Sequence, residues 1–190
     1  DKFIDSIRNV YRKYRKLLII PPDFHQIDQE IKFARDKADA DNYIKAVDLI
    51  KKKKFEEAYE ILFELEKQYK NTPFGDCIML RMSDCVLLAY YPREDEKGIS
   101  MLEKIIESKR YSPIIFEAFL KWRTKKQEFN GYSNYSIISN KMYNQKRWQL
   151  IKLIKKYLKD HPNDLWARKH INLLLFLSNI ERLSFGNSNM

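Results

Sequence analysis

The chain has few of the residues that interrupt helices. Four glycines and six prolines occur in 190 residues, whereas lysine, glutamate, leucine and isoleucine are abundant. These abundant residues favour helices, and glycine and proline are the strongest local breakers of helices. Intrinsic disorder is excluded, because 44% of the residues are apolar and 14% are aromatic, enough for a sizeable core. The composition therefore predicts an all-α protein.

Long apolar runs and disulfide-forming cysteine pairs are also missing. No stretch approaches the roughly 20 apolar residues of a membrane span. The two cysteines are Cys77 and Cys85, which would lie about 12 Å apart on one helix, too far for a disulfide. We expect two buried core thiols, which leave the redox compartment open.

Residues that carry catalysis or bind metals are sparse. His25, His161 and His170 are isolated, and the sequence has no HExxH motif, no cysteine and histidine pair at zinc spacing and no glycine-rich phosphate loop. His161 precedes Pro162 at an expected helix end, where we predict a structural role. We therefore expect no catalytic residue, no metal site and no cofactor, and an enzyme is the least supported class.

Apolar residues recur at intervals of three and four along most of the chain, which predicts helices joined by short turns. Residues 1–22 form an amphipathic basic helix, residues 23–185 an array of antiparallel helix hairpins, and residues 186–190 a flexible tail. The pattern leaves open whether 24–52 is one helix or two with a break near Asp41. The later predicted helices cover 55–69, 74–91, 94–107, 114–122, 148–158 and 165–183.

The stretch around KKKKFEEAYEILFELEKQY, residues 51–69, resembles a tetratricopeptide repeat, a hairpin with small residues where its helices cross. The four lysines would occupy the turn, although no glycine or asparagine relaxes it. A weaker copy follows, with 40 residues rather than 34 between Ala58 and Gly98. The positions that match are Ala46, Leu49, Phe55, Ala58, Leu62 and Leu65, then Val86, Ala89, Gly98, Leu102 and Ile105. The resemblance implies an irregular array whose groove binds a peptide or protein.

A narrower resemblance concerns the basic N-terminal helix followed by FEEAYEILFELEKQY. This pairing is similar to the periplasmic repeat lipoproteins of bacterial envelope assembly. It implies a signal peptide and a lipidated cysteine upstream of Asp1, and so a periplasmic or membrane-associated protein. A plain methionine start would indicate a cytoplasmic adaptor. We expect the N-terminal helix to be either the first helix of the array or a segment that docks on a membrane surface or on a partner.

The net charge of +10 and the pI near 9.4 favour an acidic protein surface, nucleic acid or anionic lipid as partner. Basic residues with interleaved aromatics dominate from Lys121 to Lys159. They could form a protein hot spot or hold RNA by phosphate contact and stacking, or Trp122 and Trp148 could be core residues beside solvated lysines. The candidate partner-binding residues are Lys121, Trp122, Arg123, Tyr132, Tyr135, Tyr143, Arg147 and Trp148.

The connection from Asn130 to Gln145 is longer than the two to eight residues usual between paired helices. It is also too apolar for a solvated linker. We predict that it packs against the array and borders the partner site, or else serves as an irregular cover for the core.

The sequence thus predicts a non-enzymatic scaffold that binds a protein or peptide, with an acidic surface on the partner. The alternative is a basic helical-repeat protein that binds RNA. Partner identity and oligomeric state are left open.

Overall fold

The computed structural model describes residues 24–89, 95–129 and 137–185, and every regular element in these ranges is an α-helix. The all-α prediction is confirmed. None of these helices combines the length and the apolar character needed to cross a membrane. The predicted N-terminal helix (1–22) and tail (186–190) lie outside the described residues. The helices are α1 (Phe24–Ile31), α2 (Lys37–Lys51), α3 (Phe55–Tyr69), α4 (Pro73–Leu88), α5 (Asp95–Ile106), α6 (Ile115–Phe129), α7 (Ile137–Asp160) and α8 (Leu165–Phe185).

The described residues form two compact units. Residues 24–89, 95–129 and 137–144 make up the first, which we call the array unit, and residues 145–185 make up the second, the C-terminal unit. Helices α1 to α6 and the start of α7 belong to the array unit.

Residues 52–54 of the lysine run form the turn between α2 and α3. Lys53 has a φ of 60°, in the left-handed region. The amide of Lys53 donates to the carbonyl of Ile50, and the amide of Lys54 donates to that of Leu49, both at 2.9 Å. This pair of hydrogen bonds is the Schellman motif that ends many helices. The predicted helix, turn and helix are therefore confirmed, and the lysines remain solvated.

Residues 24–51, for which the sequence left one helix or two open, form two helices. Helix α1 ends at Ile31 and α2 begins at Lys37, so the break precedes the position near Asp41 that the sequence offered for it. Asp36 has extended backbone, and its carboxylate accepts a hydrogen bond from the amide of Asp39 at 2.9 Å. Such an N-cap satisfies a free amide of the first turn and fixes where the helix starts.

Helix α4 is the centre of the array unit. It starts with Pro73 at its first position, and the hydroxyl of Thr72 caps it by accepting from the amide of Gly75 at 3.0 Å. A side chain at Gly75 would collide with the carbonyl oxygen of Tyr69, 2.1 Å from an added Cβ, so the turn from α3 needs glycine. Twelve of the 16 residues of α4 are buried, because α3 and α5 both pack against it.

Contacts between alternate helices arrange the array unit in two layers. In one layer the guanidinium of Arg81 on α4 reaches the hydroxyl of Tyr43 on α2 and the carboxylate of Glu117 on α6, at 3.3 and 3.0 Å. In the other, the ammonium of Lys97 on α5 lies 5.1 Å from the ring centroid of Tyr59 on α3. Consecutive helices from α2 to α6 pack against each other. The chain therefore alternates between layers, as stacked hairpins do.

Three small residues of the repeat pattern, Ala46, Ala58 and Gly98, are buried. Ala46 and Ala58 are fully buried, as predicted. An added Cβ at Gly98 on α5 would lie 2.6 Å from Cγ of Leu87 on α4, so these two helices cross closely at the glycine.

The predicted connection from Asn130 to Gln145 is wrong over its second half, because α7 begins at Ile137. Residues 130–136 lie outside the described residues. Asparagine and serine in this stretch indicated a loop. However, the start of α7 is anchored by packing, since the ring of Tyr143 stacks on that of Phe119 at 5.0 Å between centroids.

In the C-terminal unit, residues 161–164 connect α7 to α8. The carboxylate of Asp164 accepts from the amide of Ala167 at 2.9 Å and from the hydroxyl of Tyr157 at 3.0 Å. This contact caps α8 and ties its start to α7. His161 follows the last residue of α7, the helix-end position that the sequence predicts, and its ring lies 4.4 Å from that of Tyr157.

Candidate functional site

The predicted site residues are distributed over different parts of the chain. Lys121, Trp122, Arg123 and Tyr143 lie in the array unit, and Arg147 and Trp148 lie in the C-terminal unit. Tyr132 and Tyr135 are outside the described residues.

Trp122 and Tyr143 are core residues. Their exposed fractions are 1% and 6%, and Phe119 stacks against both rings, at 6.2 and 5.0 Å. The indole N–H of Trp122 donates to the carboxylate of Glu103 at 2.9 Å. Neighbouring side chains cover both rings, so neither ring is exposed to a partner in this structure. The burial of Trp122 agrees with the alternative that this residue belongs to the core.

Lys121 and Arg123 interact with groups of the array unit. The ammonium of Lys121 pairs with the carboxylates of Asp84 and Glu117, the latter at 2.7 Å. The guanidinium of Arg123 lies 4.1 Å from the ring centroid of Tyr143 and donates to its hydroxyl at 2.9 Å. Arg123 and Tyr143 are thus brought together as a cation–π pair, which braces α6 against the start of α7.

Trp148 is exposed, in contrast to its neighbour Arg147, which is buried. Lys152, Lys155 and Lys159 follow Trp148 at intervals of four, three and four, so the four side chains lie along one face of α7. All four are exposed. Within the part of the chain that the structure describes, none of the three lysines forms an ion pair. We call Trp148, Lys152, Lys155 and Lys159 the α7 basic face.

A second constellation, buried in the array unit, was not identified from the sequence. Arg81 is 1% exposed, and its guanidinium contacts the carboxylates of Glu30 at 2.5 Å, Glu117 at 3.0 Å and Asp84 at 3.1 Å. The hydroxyl of Tyr43 donates to the second oxygen of Glu30 at 2.5 Å. We define the Arg81 cluster as Glu30, Tyr43, Arg81, Asp84, Glu117 and Lys121.

The Arg81 cluster contains three carboxylates and two cations. Burial raises the pKa of Glu30 despite the opposing effect of Arg81. Burial by itself raises the pKa of Glu117, but the positive charges of Arg81 and Lys121 outweigh it and hold the pKa of that carboxyl well below its usual range. The surroundings therefore stabilise the ionised carboxylate of Glu30 less than that of Glu117.

The described groups offer ionic contacts rather than an activated nucleophile. Cys77 and Cys85 are free and buried, which confirms the predicted core thiols. Burial raises the pKa of Cys85 to about 12, so little reactive thiolate forms there near neutral pH. In the described ranges, no group of three or more histidine, cysteine or acidic side chains is arranged to hold a metal ion.

Comparison of the chain with protein-family models, with curated proteins and with solved structures finds no match. The tetratricopeptide resemblance therefore stays a prediction that rests on the repeat positions.

A signal for the Arg81 cluster is present in the sequence, although local pattern analysis cannot interpret it. Asp76, Arg81 and Asp84 interrupt the apolar helix α4, and a helix packed on two sides requires buried partners for its charged residues. The partners of Arg81 include Glu30 and Glu117, which are 51 and 36 residues away in the chain. Helical periodicity relates residues three or four apart and carries no information on pairs so distant.

Proposed function

We propose that this protein is a non-enzymatic scaffold that binds an acidic protein or peptide through the α7 basic face. The proposal rests on the indole of Trp148, which is 42% exposed. It lies in a row with three exposed lysines, and none of the three forms an ion pair with another described residue. An exposed tryptophan offers apolar contact area, and the lysines complement carboxylates on a partner.

The environment of α7 strengthens the electrostatic argument. No acidic residue occurs between Ile137 and Lys159. Lys67, the one lysine of α3, differs, because it pairs with Glu64 at 2.6 Å on its own helix. The lysines of the α7 basic face are therefore available to a partner, whereas the charge of Lys67 is partly neutralised before a partner arrives.

Burial of Trp122 and Tyr143 supports a protein partner over RNA. Binding of a single strand needs exposed rings on which successive bases stack. Trp122 and Tyr143 are buried, and Lys121 and Lys126 pair with acidic groups of the array unit. RNA binding remains the alternative that the experiment below distinguishes.

The array unit supports a scaffold role through its organisation. Two alternating layers and buried alanines at positions 46 and 58 are the features expected of tetratricopeptide-like hairpins. We include in the proposal that the fold belongs to this superfamily. A lipoprotein role in bacterial envelope assembly, with residues 1–22 at the membrane surface, is the narrower form of the proposal.

The experiment is photocrosslinking with p-benzoylphenylalanine at position 148 of the full chain, in extract from cells that make the protein. We expect capture of an acidic protein. Capture should disappear when Lys152→Glu, Lys155→Glu and Lys159→Glu are combined. The matched control combines Lys45→Glu, Lys52→Glu and Lys70→Glu, three exposed lysines of the array unit, and has the same net charge.

Three other results would oppose the proposal. Equal loss of capture in both triple variants would mean that net charge, and not the α7 basic face, determines binding. Capture that nuclease treatment abolishes, together with tight binding of a labelled 20-nucleotide oligouridine, would favour the RNA alternative. Unchanged capture in the α7 variant would place the partner site elsewhere.

A further inference from the structure

Helix α1 lies against α2 and α4 as a short separate helix of eight residues. Among residues 27–31, Ile27 and Glu30 are the buried side chains, 5% and 0% exposed, and their spacing of three places them on the same face. Among residues 27–31, Glu30 alone hydrogen-bonds to another helix, through Arg81 and Tyr43. Within residues 27–31, one aliphatic and one carboxylate side chain therefore attach α1 to the array unit.

The charges of the Arg81 cluster balance without Glu30. Arg81 and Lys121 each contact the carboxylates of both Asp84 and Glu117. These two cations and two carboxylates link α4 to α6 without using Glu30. Glu30 adds a third carboxylate, and the cost of removing it from water offsets much of its attraction to Arg81.

We propose that the hydroxyl of Tyr43 and the guanidinium of Arg81 form a carboxylate-binding site for a partner helix, and that α1 occupies this site until the partner binds. The partner segment carries an aliphatic residue three positions before a glutamate. Ile27 and Glu30 of α1 have this arrangement. We infer the side chains of the partner segment from them, because the partner segment takes the place of α1.

Exchange of the two helices conserves the polar contacts. The incoming carboxylate accepts the hydrogen bonds from Tyr43 and Arg81 that Glu30 gives up, and the aliphatic side chain replaces Ile27. Residues 32–36 tether α1 to α2, and a short tether gives an effective concentration of about millimolar. In the intact protein α1 competes with a free segment, which therefore binds weakly. A substitution that weakens the attachment of α1 removes this competition, and the segment then binds with the full affinity of the site.

The test uses a fluorescein-labelled peptide of residues 21–36 and the full chain carrying Ile27→Ala and Glu30→Ala. We expect the peptide to bind this variant at least ten times more tightly than it binds the wild type. A peptide with Glu30→Gln should bind at least ten times more weakly, and so should the original peptide when Tyr43→Phe is added to the protein. Asp28→Ala, on the exposed side of α1, is the control and should behave as wild type.

Hydrogen exchange on the same variant separates a detachable helix from an integral one. We expect faster exchange in α1 and unchanged exchange in α2 to α6. Faster exchange throughout the array unit, or peptide binding that is equal in wild type and variant, would overturn the proposal. Glu30→Gln, the milder change, provides the same measurement if the double variant does not fold. The site shares no residue with the α7 basic face, so failure here leaves the photocrosslinking result unaffected.

Discussion

Lys53 adopts a backbone conformation that glycine tolerates better. Its φ of 60° lies in the left-handed region, which costs a residue with a Cβ about 1–2 kcal/mol. We expect Lys53→Gly to raise the free energy of unfolding by about 0.5–1 kcal/mol, since part of the gain is lost to the more flexible unfolded chain. Urea unfolding measures the change. Lys52→Gly is the matched control: its φ is −82°, so the substitution should destabilise, and equal shifts in both variants would contradict the argument.

Asp76 makes folding stability depend on pH. Burial raises its pKa to about 6, although Nε of Arg110 donates to it at 3.1 Å. The protonated form therefore favours the folded state, and this contribution to stability is lost as the pH rises from about 4 to about 6. Asp76→Asn keeps a neutral side chain, so we expect its free energy of unfolding to increase relative to wild type between pH 4.5 and pH 7. Urea unfolding at both pH values measures the difference between the two proteins.

A difference that stays constant, or that moves in the opposite direction, would show that the ion pair with Arg110 outweighs the cost of burying Asp76. Asp28→Asn, at an exposed position, is the control for the substitution itself.

The pairing of α2 with α3 depends on small residues at its crossing. Ala58 on α3 is fully buried, so Ala58→Trp introduces a ring for which there is no space. We expect a loss of about 1–3 kcal/mol, measured by thermal unfolding. Ala38→Trp, at an exposed position on α2, should have little effect. An unchanged melting temperature for Ala58→Trp would remove the repeat assignment.

Elements with a clear apolar period and a sharp stop could be predicted from the sequence. Helix α3 runs over the predicted residues 55–69, because its buried face is regular and Pro73 follows shortly. The start of α7 was missed, since asparagine and serine favour loops and the packing of Tyr143 on Phe119 is not visible in a local pattern. The same limit applies to the candidate site. The spacing of apolar residues shows which face of a helix is buried only when the neighbouring helices are known, so the sequence could not tell that Trp122 is buried and Trp148 is exposed.

Charge is divided unevenly over the whole molecule. Residues 145–190 carry nine basic and three acidic side chains, a net charge of +6. Residues 21–144 carry 21 of each sign, so this stretch is neutral overall. The attraction of the +10 protein for an acidic partner is therefore concentrated near the C-terminal unit and the first 20 residues.

This division predicts different responses to equal changes in net charge. On a heparin matrix, the variant with glutamate at positions 152, 155 and 159 should elute at clearly lower salt than wild type. The control with glutamate at 45, 52 and 70 should elute closer to wild type, because charges beyond about 10 Å are screened at 0.1 M salt. Elution of both variants at the same salt concentration would show that heparin responds to total charge alone.

The Arg81 cluster also has a consequence for the evolution of this chain. Replacing Arg81 alone leaves buried carboxylates uncompensated, at a cost of about 3–5 kcal/mol, whereas replacing the whole group by apolar residues of similar volume can be neutral. Single substitutions at these positions are therefore selected against, while joint substitutions are tolerated. When homologous sequences are aligned, positions 81, 84, 117 and 121 should covary, and position 30 should vary more freely than the other four.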